Sequence, residues 1–157
     1  MELELVAKSF GELSAAELHD IYALRVAVFV VEQRCAYQEV DGADLEALHV
    51  WLRAPDGRIL AYLRVLPRGV NFPEVSIGRV IAAERRRGLG ARILAEGIRL
   101  ARERFSAEKI IVEAQTHARP FYEKAGFRQT SPEFQEDGIP HIRMELNTPN
   151  PHTASNN

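Results

Sequence analysis

Three consecutive arginines, Arg85, Arg86 and Arg87, run directly into Gly88, Leu89, Gly90 and Ala91, with an apolar repeat behind them. A basic run against two glycines at a helix start suits an anion. Glycine leaves peptide N–H groups open to approach, the first turn of a helix has amide hydrogens without partners, and the helix dipole adds partial positive charge. The arginine side chains would supplement those amides around a phosphate. Two common phosphate fingerprints do not match: Ile93 stands where G-x-G-x-x-G needs its third glycine, and no Lys followed by Ser or Thr makes a P-loop here. Glu113 and His117 follow an Ile-Ile-Val run, and Glu32, Glu39, Asp41 and His141 are further groups able to draw a proton through water. Arg25 falls on an apolar stripe, seven places after Leu18, where a guanidinium either meets a structural carboxylate or lines a cleft and holds an acid group. Cys35 is the lone thiol, and neither Arg34 nor Ala36 beside it supplies a base.

The chain that must position these groups has 157 residues, 46% hydrophobic and 27% charged, which fits one globular domain with a core of its own. Twenty Lys and Arg against 22 Asp and Glu leave a formal charge of -2, so no whole-molecule field draws it to nucleic acid or to an anionic membrane. A single cysteine excludes an internal disulfide, agrees with a cytoplasmic location, and leaves no Cys or His pair at zinc spacing, so no metal is expected. No apolar run approaches the roughly 20 residues of a membrane helix.

Leu3, Leu5 and Ala7 alternate with Glu4, Val6 and Lys8, as in a half-buried strand. Ser14 and Glu17 form a capping box that starts a helix running to about Gln33. Residues 38–46 make an acidic surface loop around Gly42. His49 to Ala54 and Ile59 to Leu66 are strands joined by a Pro55-Asp56-Gly57 turn, and Val75 to Ala82 is another strand in which Gly78 hints at a bulge or a close approach. Gly90, Ile93, Leu94, Gly97, Ile98, Ala101 and Phe105 recur at helical spacing. Lys109 to Ala114 then reads as a buried strand, and strand, helix, strand implies a parallel pair with a right-handed crossover. A short helix from about Arg119 ends at Gly126, two strands follow at Phe127 to Thr130 and His141 to Leu146, and the domain closes at residue 147, with 148–157 a loose polar tail.

Arg85-x-x-Gly88-x-Gly90 resembles the pyrophosphate-binding motif of the GCN5-related N-acetyltransferase (GNAT) superfamily, and Phe121-Tyr122-Glu123-Lys124-Ala125-Gly126-Phe127 resembles its "FYEKxGF" block, in the expected order. More closely, the chain is similar to the ElaA-like branch through Arg25-x-x-Val28-Phe29-Val30-Val31-Glu32-Gln33, Tyr37 to Gly42, Ile77-Gly78-Arg79-Val80, and Glu136 to Ile142. The likeness implies an α/β (α+β) acyl-CoA N-acyltransferase fold: a mixed twisted sheet of about six to seven strands, about four helices, and parallel fourth and fifth strands that splay apart.

That resemblance also implies chemistry. Acetyl-CoA would be the co-substrate, its pyrophosphate held at Arg85, Arg86, Arg87, Gly88, Leu89, Gly90 and Ala91, its pantetheine arm paired with the strand at Val80 and Ala82, with Phe121 and Tyr122 close by. Gln115 stands where many relatives carry an Asn that touches the cofactor, and offers the same amide groups. Tyr122 would act as general acid towards the departing thiolate, since a phenol titrating near about 10 keeps its proton at neutral pH. Glu113 is a candidate base. Arg25, Glu32, Glu39, Asp41 and His141 are the candidate acceptor-binding residues, an acidic wall favouring a cationic amine. The partner would be a small-molecule or peptide amine, and free sheet edges allow a homodimer. Two other readings remain: an acyl-homoserine-lactone-synthase-like transferase, from Arg25-x-x-Val28-Phe29-x-x-Glu32, and a non-catalytic acyl-CoA-binding sensor.

Overall fold

The computed structural model describes residues 2–83 and 88–148, so the expectations on Arg85, Arg86 and Arg87, and on the tail from residue 149, lie outside the described residues. Eight strands form one sheet: β1 (Glu4–Ser9), β2 (Leu48–Arg53), β3 (Ile59–Leu66), β4 (Val75–Ala82), β5 (Lys109–Gln115), β6 (Arg128–Gln129), β7 (Phe134–Glu136) and β8 (Ile139–Asn147). The order is β1-β2-β3-β4-β5-β8-β6, with β7 paired to β8. The helices are α1 (Ala15–Val26), α2 (Leu89–Phe105) and α3 (Arg119–Lys124).

Period-two alternation sends Leu48, Val50, Leu52, Leu63, Val65, Ile110, Val112, Ile142 and Met144 to the face covered by α2, where they meet Ile93, Leu94, Leu100 and Ala101. The opposite face carries Trp51, Tyr62 and Ile81 against Ile21, Tyr22 and Leu24 of α1. Gly97 lets α2 lie close on β3: a Cβ there would stand 2.7 Å from Leu63 Cδ2, which no real pair tolerates.

The Pro55-Asp56-Gly57 turn forms as expected, with Gly57 at φ 92° and the Asp56 carboxylate accepting the Arg58 N–H at 3.0 Å. The helix from Ser14 does not reach Gln33 as an α-helix. Ser14 caps it through the Glu17 N–H, yet after Val26 the chain widens into a π-helical turn, Ala27–Glu32. There the N–H of Gln33 reaches back five residues to Val28 at 3.2 Å, and Cys35 to Val30 at 3.1 Å. Four β-branched valines between 26 and 31 crowd the tighter ladder. The sheet exceeds the expected strand number because Phe134–Glu136 folds back on β8 through Asp137 (φ 51°) and Gly138 (φ 76°). The domain also runs past 147, since Thr148 is buried, with its N–H on Glu108 O at 2.7 Å and its hydroxyl on Ala107 O.

β4 and β5 are parallel but pair only at Val75↔Ile110 and Ser76↔Ile111; beyond that no pairing joins them. The cause lies on the other side of β4. Its register on β3 slips between Tyr62↔Ile81 and Arg64↔Gly78, leaving an extra residue, and Arg79 takes a left-handed φ of 54°. The bulge thus sits beside Gly78 rather than on it. A left-handed arginine costs about 1–2 kcal/mol and is offset by ion pairs of its guanidinium with Glu39 and Asp41.

Candidate active site

The parted ends of β4 and β5 open into a cavity of about 610 Å³, which takes in Val80 from β4, Glu113 and Gln115 from β5, and Tyr122 from α3. Three groups of residues define it.

The first is the start of α2. Gly88 is its N-cap at φ 66°, a conformation that favours glycine, and among the described residues no side chain caps the first turn. Among the described residues, a Cβ at Gly88 would meet nothing within 4 Å. Gly90 has a different reason from the one expected. A Cβ there would lie 3.4 Å from Phe121 Cε2 and 3.6 Å from Ala82 Cβ, so the position faces inward, towards the second motif, and not towards a ligand.

The second group is aromatic. Pro120 opens α3 and Gly126 (φ 102°) ends it, which places Tyr122 in the core, edge-on to Phe121 at 5.0 Å and to Phe127 at 5.8 Å. Burial raises its phenol above the ordinary value, so the hydroxyl holds its proton at neutral pH.

The third is a carboxyl pair. Glu113 on β5, Glu136 on β7 and His141 on β8 all line the cavity. Partial burial raises the Glu113 carboxyl above the usual range, and the like charge of Glu136 and a hydrogen bond shared with it raise it further. His141 places Nδ1 2.7 Å from Ile139 O, so that nitrogen carries a proton, while Nε2 lies 3.8 Å from Glu136. Phe134 stacks on its ring at 6.2 Å. His117 and Asp41 line the same cavity.

Three expected acceptor residues, Arg25, Glu39 and Glu32, do not line the cavity. Arg25 is fully buried, and Glu39 is 3% exposed. Arg25 Nε donates to Glu39 at 3.1 Å, and its two Nη groups donate to the Asp44 carboxylate at 2.6 and 3.1 Å. Arg64 forks onto Asp41 at 2.7 and 3.0 Å and reaches Asp44 at 2.9 Å; Arg79 pairs with Glu39 and lies over the Tyr37 ring. Arg25 therefore meets structural carboxylates, and neither it nor Glu39 lines the cavity. Burial by itself would raise the Asp41 and Asp44 carboxyls, but Arg64 and Arg25 outweigh it and hold both below the usual range. His49 completes this cluster between the Tyr62 hydroxyl at 2.7 Å and Asp44 O at 2.9 Å.

Glu32 is exposed on the π-helical turn and does not line the cavity. The Gln115 amide donates to Gln33 at 3.1 Å, tying β5 to that turn, and Cys35 Sγ lies 3.5 Å from Asp137 O. Arg64, Arg79 and Glu136 were not singled out as site residues from the sequence. Arg64 had a signal: it breaks an otherwise apolar strand on the same face as Tyr62.

A family model described as "Acetyltransferase (GNAT) domain" matches residues 15–148. The UPF0039 protein C11D3.02c of Schizosaccharomyces pombe is 42% identical over 147 residues, 92% of this chain and 97% of that one. Protein ElaA of Escherichia coli is 37% identical over 138 residues, 85% of this chain and 90% of its own. The crystal structure of ElaA superimposes with a TM-score of 0.86, at 33% identity, covering 93% of this chain and all of that one. An acyl-CoA N-acyltransferase from Pseudomonas aeruginosa also gives 0.86, at 37% identity, covering 92% and 99%. With the parted parallel strands, the glycine-capped helix and these likenesses in hand, the chain belongs to the GNAT acetyltransferase family, in its ElaA-like branch.

Proposed function

We propose that the protein transfers an acetyl group from acetyl-CoA to a primary amine by direct attack, with both substrates bound together. The observation that carries this reading is the parting of β4 from β5 beyond Ser76 beside the glycine-capped start of α2. Backbone left unpaired at Val80 and Ala82 is costly if dry, and a pantetheine arm completes the ladder. Its diphosphate sits on the amides of Gly88, Leu89, Gly90 and Ala91, with Arg85, Arg86 and Arg87 adding charge. Phe121 backs that turn.

The amine enters from the side of the π-helical turn. Glu113, ionised, takes a proton from the ammonium; the neutral nitrogen then bonds to the acyl carbon, the carbon–sulfur bond breaks, Tyr122 gives its proton to the leaving thiolate, and the second proton released by the acylated nitrogen restores the phenol. Asp41 and His141 border the acceptor's space, and Gln115 acts through Gln33 as well as towards the cofactor. The lone Cys35 fits a reducing cytoplasm.

Release of CoA thiol from acetyl-CoA, measured across a panel of amines, tests the reading, and failure of every amine with intact CoA binding would leave only a sensor. Gly88→Glu places a carboxylate where the diphosphate belongs and forces a side chain into a left-handed backbone. CoA binding, followed by calorimetry, should be abolished; normal affinity in this variant would refute the assignment.

A further inference from the structure

Gly78 is a glycine without a conformational or packing reason. Its φ lies outside the left-handed region, and a Cβ built on it would meet nothing within 4 Å. Its surroundings give the reason. Arg64 on β3 pairs in register with Gly78 on β4, and Glu113 on β5 pairs with Arg143 on β8. Gly78 and Glu113 each stand two residues beyond the last joined pair, Ser76↔Ile111, so the two are abreast across the gap. The row therefore runs Arg64, Gly78, Glu113, Arg143, the first three lining the cavity, with one bare place in it.

The two walls of that trough differ in charge. On the Arg64 side the cavity is lined by Arg64, Arg79 and Asp41, and with the buried Arg25, Glu39 and Asp44 behind them three arginines meet three carboxylates, so the cluster as a whole is neutral. On the other side Glu113 and Glu136 face the cavity with His141 and His117, and Arg143 is shared with Glu74 at 3.6 Å and Glu145 at 3.4 Å. The excess is negative, and its complement is a cation.

We infer that Gly78 is the specificity-determining residue of the acceptor site: its bare backbone is the floor across which a slender, unbranched primary amine, arriving as an ammonium, reaches the acyl group, and a side chain there excludes it. The inference rests on the proposed function, because it takes this cavity as the acceptor's.

Gly78→Ala and Gly78→Val test it with acetyl-CoA and a series of n-alkylamines, α-branched amines and amino acids. Valine suits a strand, so both variants should keep the wild-type melting temperature, and CoA affinity measured by calorimetry should stay within about twofold. KM for n-alkylamines should rise about tenfold or more with alanine and further with valine, as one methyl group misplaced in a fitted pocket does. In the wild type, amino acids should be poorer acceptors than n-alkylamines, since their carboxylate meets Glu113 and Glu136. An unchanged KM in Gly78→Val, weakened CoA binding in either variant, or unfolding of both would overturn the inference while the enzyme's activity stood. Absence of turnover by the wild type with every amine would instead remove the proposed function, and this inference with it.

Discussion

Two charged clusters share one face of the sheet and behave in opposite ways. Around Arg25 every carboxylate has a guanidinium, Arg25, Arg64, Glu39 and Asp44 are buried, and the charges cancel. Around Glu113 two carboxyls lie together on the lining of a cavity, and one is held above its usual pKa. The comparison teaches that acidic residues in a sequence do not by themselves make a cationic site. Partners decide which carboxylates are spent on the fold and which remain for a ligand.

The contrast can be broken from either end. The largest effect should come from Arg25→Met, which takes from buried Glu39 and Asp44 one of their two guanidinium partners; loss of one partner of a buried ion pair costs about 3–5 kcal/mol, to be read from urea denaturation. An Arg25→Met protein as stable as the wild type would show that the cluster does not hold the 34–47 segment in place. Glu113→Gln should do the reverse, leaving the denaturation midpoint almost unmoved while kcat falls by roughly 100-fold or more. Equal turnover in that variant would remove Glu113 as the base.

A smaller and more specific effect belongs to Glu136→Gln. Because the raised carboxyl must be ionised to accept a proton, kcat should climb with pH through a value above 4.5. Taking away the neighbouring charge lowers that pKa, so the acidic limb should move to lower pH with little change in the plateau. A limb that stays in place would mean the two carboxyls do not share a proton.

Much of this could be read from residue order. The β2–β3 hairpin, the α2 stripe and the parallel pair around it all follow from local periodicity and turn residues. The two motifs could be read only as an order along the chain, and their contact, Gly90 on Phe121, gives that glycine a packing role rather than the open approach expected of it. The features that escaped are those set by distant partners. Arg25 finds its carboxylates 14 and 19 residues along the chain, and no spacing rule announces such a pair. The bulge at Arg79 exists only in relation to the register of β3, and the π-helical turn differs from an α turn by one residue of slack. Glu136 is another matter: Asp137-Gly138 between extended segments is a hairpin signal, and it would have placed Glu136 opposite Ile139 at the mouth of the cavity.

The contact between the first turn of α2 and Phe121, whose ring abuts Tyr122, has a mechanical result. The helix that would seat a diphosphate and the helix that carries the phenol are packed directly against each other. On the proposed chemistry, lodging the nucleotide end of the carrier and aiming its sulfur at the proton source become a single event, so that the far end of the thioester governs speed as well as grip.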